Sequence, residues 1–166
     1  MYKREVAVIA NHYLKVLEKI VDRLEDKPII WVLTGSLGMA LQGVPVQIHD
    51  IDIQTDKDGA YEIERCFAEY VVEPVRYLES ERIRSHFGVL EIDGIRVEIM
   101  GDIQKRLDDR SWEKPGRVES YRRWVEISGM RIPVLSLEYE YQAYRRLGRV
   151  EKAEILRRWL QKAEAD

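Results

Sequence analysis

The sequence predicts an α+β domain in which strands alternate with helices and a helical pair forms the C-terminal tail. Three observations carry this. An apolar strand-like run breaks at a glycine into a helix, a later segment alternates strictly with two aspartates on one side, and an Asp-Gly pair joins two further alternating runs.

Taken in order, residues 4–26 place Val6, Ile9, Ala10, Tyr13, Leu17, Ile20, Val21 and Leu24 on a helical stripe with charges between them, and Pro28 ends that helix. Ile29-Ile30-Trp31-Val32-Leu33-Thr34 is continuous and partly β-branched, the pattern of a buried strand. Gly35-Ser36 turns the chain into a short helix over 37–42, closed by Gly43 and Pro45. In His49-Asp50-Ile51-Asp52-Ile53-Gln54-Thr55, Ile51 and Ile53 face the core while Asp50, Asp52 and Gln54 face the other way. Asp58 is the expected cap of a helix over 59–71 that turns Ile63, Phe67 and Val71 inward. An extended piece follows near 75–78.

Residues 89–99 read as a hairpin turning at Asp93-Gly94, since that pair accepts the positive φ of a two-residue turn; Ile95, Val97 and Ile99 point inward, Arg96 and Glu98 outward. Residues 102–123 are polar and mixed in charge, which predicts a helix and loop with a Pro115-Gly116 turn. Short strands are expected around Trp124–Ile127 and Met130–Leu135. Ser136 caps a helix that Gly148 stops, and a last helix spans about 150–163. The expected organisation is a single domain, a sheet-containing core over 1–135 followed by the helical pair over 136–166.

The 166 residues are enough for one hydrophobic core without disulfides. Cys66, the lone cysteine, falls on the apolar side of a helix and reads as packing. High charge content (34%) and a single asparagine, Asn11, fit a heat-adapted source. The charged N-terminus lacks a signal-peptide pattern, and no stretch approaches the roughly 18 consecutive apolar residues of a membrane span, so a cytoplasmic location is expected. A net charge of −3 argues against a general nucleic-acid surface. His12 and His86 have no metal-ligand spacing to another His or Cys.

Two aspartates on one strand face carry little information alone. Here a glycine-serine turn opening a helix lies upstream, a feature whose amides and hydroxyl can bind phosphate oxygens. A third carboxylate, Glu98, stands on the outward face of a later strand. Hard oxygen ligands of this kind suit magnesium, which keeps several waters and completes its shell with substrate phosphates.

Leu33-Thr34-Gly35-Ser36, His49-Asp50-Ile51-Asp52-Ile53 and Val97-Glu98-Ile99 together resemble the signature of the DNA polymerase beta-like nucleotidyltransferase superfamily. The His before the paired aspartates resembles the aminoglycoside and lincosamide branch. The whole chain is also similar to small stand-alone members from thermophilic bacteria. The resemblance implies a mixed sheet flanked by helices, two magnesium ions, and transfer of a nucleoside monophosphate from an NTP, ATP first among them, to a hydroxyl. It implies that Gly35 and Ser36 contact phosphates, that Asp50 and Asp52 bind both ions, and that Glu98 binds one ion and accepts a proton. Val46-Gln47-Ile48 replaces an Arg common in the drug-modifying enzymes, and Lys152-Ala153 replaces their Lys-acid pair; both departures speak against an antibiotic acceptor.

Each residue has a plainer alternative. Ser36 could serve only as a helix cap, and Glu98 could pair with Arg96. His49 either orients the aspartate strand or assists substrate binding. In the basic tail, Arg149 and Lys152 either close over a triphosphate or belong to a solvated face. Tyr139 could stack on a base, whereas Tyr141 and Tyr144 sit at core spacing with Leu137 and Leu147. The expected partners are an NTP and an unidentified hydroxyl acceptor, a small molecule or a protein, with a second subunit or a partner completing the acceptor cleft. A nucleotide- or partner-binding module with little turnover, paired with a helical toxin-like protein, is the alternative.

Overall fold

The structure is a computed structural model and describes residues 9–165; for Ala165 it describes the backbone alone. Seven strands form one mixed sheet in the order β3-β4-β5-β2-β1-β7-β6. They are β1 (Trp31–Thr34), β2 (Ile51–Thr55), β3 (Val71–Glu79), β4 (Ile83–Ile92), β5 (Ile95–Lys105), β6 (Arg122–Ile127) and β7 (Met130–Leu135). The neighbours β2/β5 and β1/β7 run parallel, and the remaining pairs are antiparallel.

The helices are α1 (Asn11–Leu24), α2 (Gly35–Leu41), α3 (Lys57–Cys66), α4 (Leu137–Arg146) and α5 (Val150–Ala165). One face of the sheet presents Ile51, Ile53, Val97 and Ile99, which bury with Leu17 and Ile20 of α1 and Ala60 and Ile63 of α3 in the main core. Alternation then forces Asp52, Gln54, Glu98 and Met100 to the opposite face, where α4 lies across them. There α2 and the tail helices share a second core of Met39, Val44, Leu137, Tyr144, Ala153 and Leu156.

Several expectations hold in detail. The Asp93-Gly94 turn has φ of 51° and 81°, Ser136 accepts the Tyr139 N–H at 3.3 Å, and Gly148 ends α4 at φ 71°. Cys66 is half-buried against the main core. The N-terminal helix is seen from Asn11; the expectation for residues 4–8, Val6 included, lies outside the described residues.

Two expectations are corrected. The cap of α3 is Asp56, not Asp58: its backbone is extended, its Oδ1 accepts the Gly59 N–H at 2.6 Å, and the helix ends at Cys66, before a short 3-10 turn at Ala68–Tyr70. Val71 therefore opens β3 instead of closing the helix. Among the described residues, 102–123 hold no α-helix. β5 continues to Lys105 and a short 3-10 turn covers Val118–Ser120. Between Arg84↔Gln104 and His86↔Gly101, β5 carries one residue more than β4, and Asp102 takes φ 49°. This bulge breaks the two-residue period that identifies a strand in sequence.

Candidate active site

The site begins with two neighbouring strands. Asp52 on β2 and Glu98 on β5 are register partners, and both line a cavity of about 190 Å³ beneath α4. Burial, followed by the charge and hydrogen bond of Glu98 and the charges of Asp50 and Glu140, pushes the Asp52 carboxyl up to about 7. Two carboxylates so placed call for a proton or a cation between them.

Asp50 precedes β2 and is half exposed. Its Oδ2 lies 3.9 Å from Arg96 Nε, which also donates to Glu98 Oε1 at 3.1 Å. Among the described residues, no three acidic, histidine or cysteine side chains already surround one point. The Asp52–Glu98 pair, with Asp50 within electrostatic reach, nonetheless offers only hard oxygen donors, and a magnesium ion fits that chemistry.

The glycine turn is set by close packing. Gly35 adopts φ 71°, and a Cβ there would fall 2.3 Å from Asp52 Oδ2. Its N–H donates to Glu140 Oε1 at 2.9 Å, and the Thr34 hydroxyl donates to the same oxygen. Ser36 Oγ accepts the His49 N–H at 3.1 Å, while the Tyr13 hydroxyl donates to the His49 carbonyl at 2.8 Å. The chain entering β2 is thus pinned from α1 and α2, and Ser36 does not act as a side-chain cap of α2.

Arg149, after α4, lines the cavity; Lys152 stands with Nζ 5.5 Å from the Tyr144 ring and has its charge felt at Glu140. Tyr144 is buried in the second core and also borders the cavity, Tyr141 packs on that core, and Tyr139 stacks on Tyr121 with ring centres 4.0 Å apart.

Two cavity residues escaped sequence reasoning. Glu140 is only 3% exposed, and burial lifts its carboxyl to about 7 against the opposing pull of Thr34, Gly35, Lys105 and Lys152. Lys105, 5% exposed, places Nζ 3.3 Å from Glu113, which in turn holds Arg146 at 2.6 Å. Glu140 did leave a signal: it shares the helical stripe of Leu137 and Tyr144, where a carboxylate needs a buried partner.

Among the described residues, no helix is long and apolar enough to cross a membrane. Comparison with curated proteins gives no match. Among solved structures, a protein from Thermotoga maritima described as a candidate nucleotidyltransferase shares 61% identity over 97% of this chain and 99% of its own, with a TM-score of 0.85. ANT(2")-Ia in complex with adenylyl-2"-tobramycin superposes at a TM-score of 0.57, 14% identity, over 93% of this chain and 94% of its own. The lincosamide antibiotic adenylyltransferase LnuA, lincomycin-bound, superposes at 0.51 and 15% identity over 80% and 84%. These last two share the fold. Residues 16–158 match the family model described as aminoglycoside-2''-adenylyltransferase, and the chain therefore belongs to that family of nucleotidyltransferases.

Proposed function

We propose that this nucleotidyltransferase moves a nucleoside monophosphate from an NTP, with ATP the first candidate, to a hydroxyl acceptor in a magnesium-dependent in-line displacement that breaks the α–β phosphoanhydride bond and releases pyrophosphate. The supporting observation is the in-register Asp52–Glu98 pair facing a cavity beside the Gly35 turn.

Asp50, Asp52 and Glu98 are the residues that would hold the ions. Magnesium bound there supplies charge neutralisation for the triphosphate and lowers the pKa of a coordinated hydroxyl. Glu98, at the cavity and on the strand beside Asp52, accepts the acceptor's proton. Gly35, having no side chain, lets a phosphate approach the turn next to Asp52, and the Ser36 hydroxyl can donate to a phosphate oxygen while still accepting from His49. Arg149 at the cavity and Lys152 one helical turn further supply positive charge to the polyphosphate. His49 acts through its backbone, which fixes the entry to β2.

Isothermal titration of ATP, GTP, CTP and UTP, with and without magnesium, tests this reading. Magnesium-dependent binding by the native protein, lost in an Asp50→Ala/Asp52→Ala variant, is the expected result. Absence of binding by every NTP overturns it.

A further inference from the structure

Arg96 is the one basic side chain described as bridging two of the three carboxylates that the proposed function assigns to magnesium. It stands two residues before Glu98 on the same outward face of β5, donates from Nε to Glu98 Oε1 at 3.1 Å, and lies 3.9 Å from Asp50 Oδ2. A guanidinium keeps its proton at every physiological pH, so it neutralises these carboxylates permanently unless it moves. Its side chain is 45% exposed, and no hydrogen bond is described for it beyond the one to Glu98.

A divalent ion binding Asp50, Asp52 and Glu98 draws on the same negative charge that Arg96 partly neutralises, and on the Glu98 carboxylate that it engages. The three carboxylates do not surround one point: Glu98 accepts from the guanidinium, and Asp50 lies within ion-pair distance of it. We propose that Arg96 is a tethered counter-cation of the acidic site: it occupies Asp50 and Glu98 in the ion-free protein, competes with the divalent ion, and so sets the metal concentration at which the site fills. This inference rests on the reading of Asp50, Asp52 and Glu98 as the ion-binding set.

Competition makes a prediction opposite to that for a supporting residue. Removing a supporting arginine weakens ion binding, whereas removing a competitor tightens it. Because the pair is partly exposed, the gain is modest, about two- to fivefold in affinity.

The test is calorimetric titration of MnCl2 and MgCl2, without nucleotide, into the native protein, Arg96→Ala, Arg96→Gln, Arg96→Lys and Asp50→Ala/Asp52→Ala, with thermal melts of each to verify folding. Arg96→Ala and Arg96→Gln should bind either ion about two- to fivefold more tightly, with Arg96→Lys between them and the native protein. The two neutral variants should also melt earlier without the ion and recover with it. Equal or weaker binding in both neutral variants, alongside native binding that the double aspartate variant loses, overturns the counter-cation and leaves the ion site standing. No ion binding by any of the proteins overturns the ion-binding set itself, and the inference with it.

Discussion

A methyl group on Gly35 would stand 2.3 Å from Asp52 Oδ2, so the absence of a side chain at 35 is what lets Asp52 lie against the turn. The two residues are far apart in sequence but brought together by the antiparallel pairing of Thr34 with Asp52. Gly35→Ala faces two penalties. A left-handed backbone costs a β-carbon about 1–2 kcal/mol, and the clash displaces the Asp52 carboxylate. The expected outcome is a lower Tm together with a loss of turnover on the order of a hundredfold, more than the stability change accounts for. Denaturant melts and initial rates on the same preparation separate the two effects.

Glu140 holds the turn from the other side. Its Oε1 accepts from both Thr34 and Gly35, linking α4 to the β1–α2 junction. Glu140→Ala leaves two donors without an acceptor in a buried place, a loss of about 1–3 kcal/mol. Glu140→Gln keeps a carbonyl oxygen and the side-chain shape and should lose less than half as much. Chemical denaturation of the two variants checks that ranking, and equal losses would mean that the charge, not the acceptor, matters.

How much of this was legible in the sequence depends on whether a residue's role was periodic or relational. Ile51 and Ile53 could be separated from Asp52 and Gln54 by alternation alone, and the hairpin at Asp93-Gly94 by turn chemistry. The end of β5 could not, because the bulge at Asp102 shifts the period just where Ile103 and Lys105 turn into the cavity. Asp56 and Asp58 are equally good caps on paper, and only the extended backbone at Asp56 decides between them. Glu140 acts through Thr34 and Gly35, and Arg96 reaches Asp50 as well as its strand neighbour Glu98; the contacts of Glu140 and the Arg96–Asp50 approach are relations that no local window contains.

The cap itself can be tested. Asp56→Ala should destabilise the protein by about 1 kcal/mol, because the Gly59 N–H loses its acceptor. Asp58→Ala, one residue into the first turn, should change stability by only a few tenths, roughly the loss of a favourable helix-end charge. Urea melts at one pH are sufficient to rank them.

The buried acids predict an unusual pH profile. Both Glu140 and Asp52 are raised to about 7 from ordinary values of 4.5 and 3.8, so the folded protein holds protons that the unfolded chain releases. Their contribution to stability is therefore full below about pH 4 and is lost as pH rises toward about 7, the reverse of a salt-bridged carboxylate. Melting temperature followed across that window, in the native protein and in Glu140→Gln, should show a decline that the substitution flattens.

Asp52→Asn removes one charge from this carboxylate group while keeping its size. At pH 8, where the Asp52 carboxyl of the native protein is mostly ionised, the amide relieves repulsion with Glu98, Asp50 and Glu140. The ion-free variant should be more stable than the native protein by about 1–2 kcal/mol, a Tm rise of roughly 3–6 °C. Magnesium, which on the proposed function stabilises the native protein by binding at these carboxylates, should leave the variant's Tm nearly unchanged. Turnover should vanish in the same variant, so that one substitution raises stability while it removes activity. Thermal melts at pH 8 with and without magnesium give the comparison, and a variant that melts earlier without the ion while still responding to magnesium would place the ion somewhere other than Asp52.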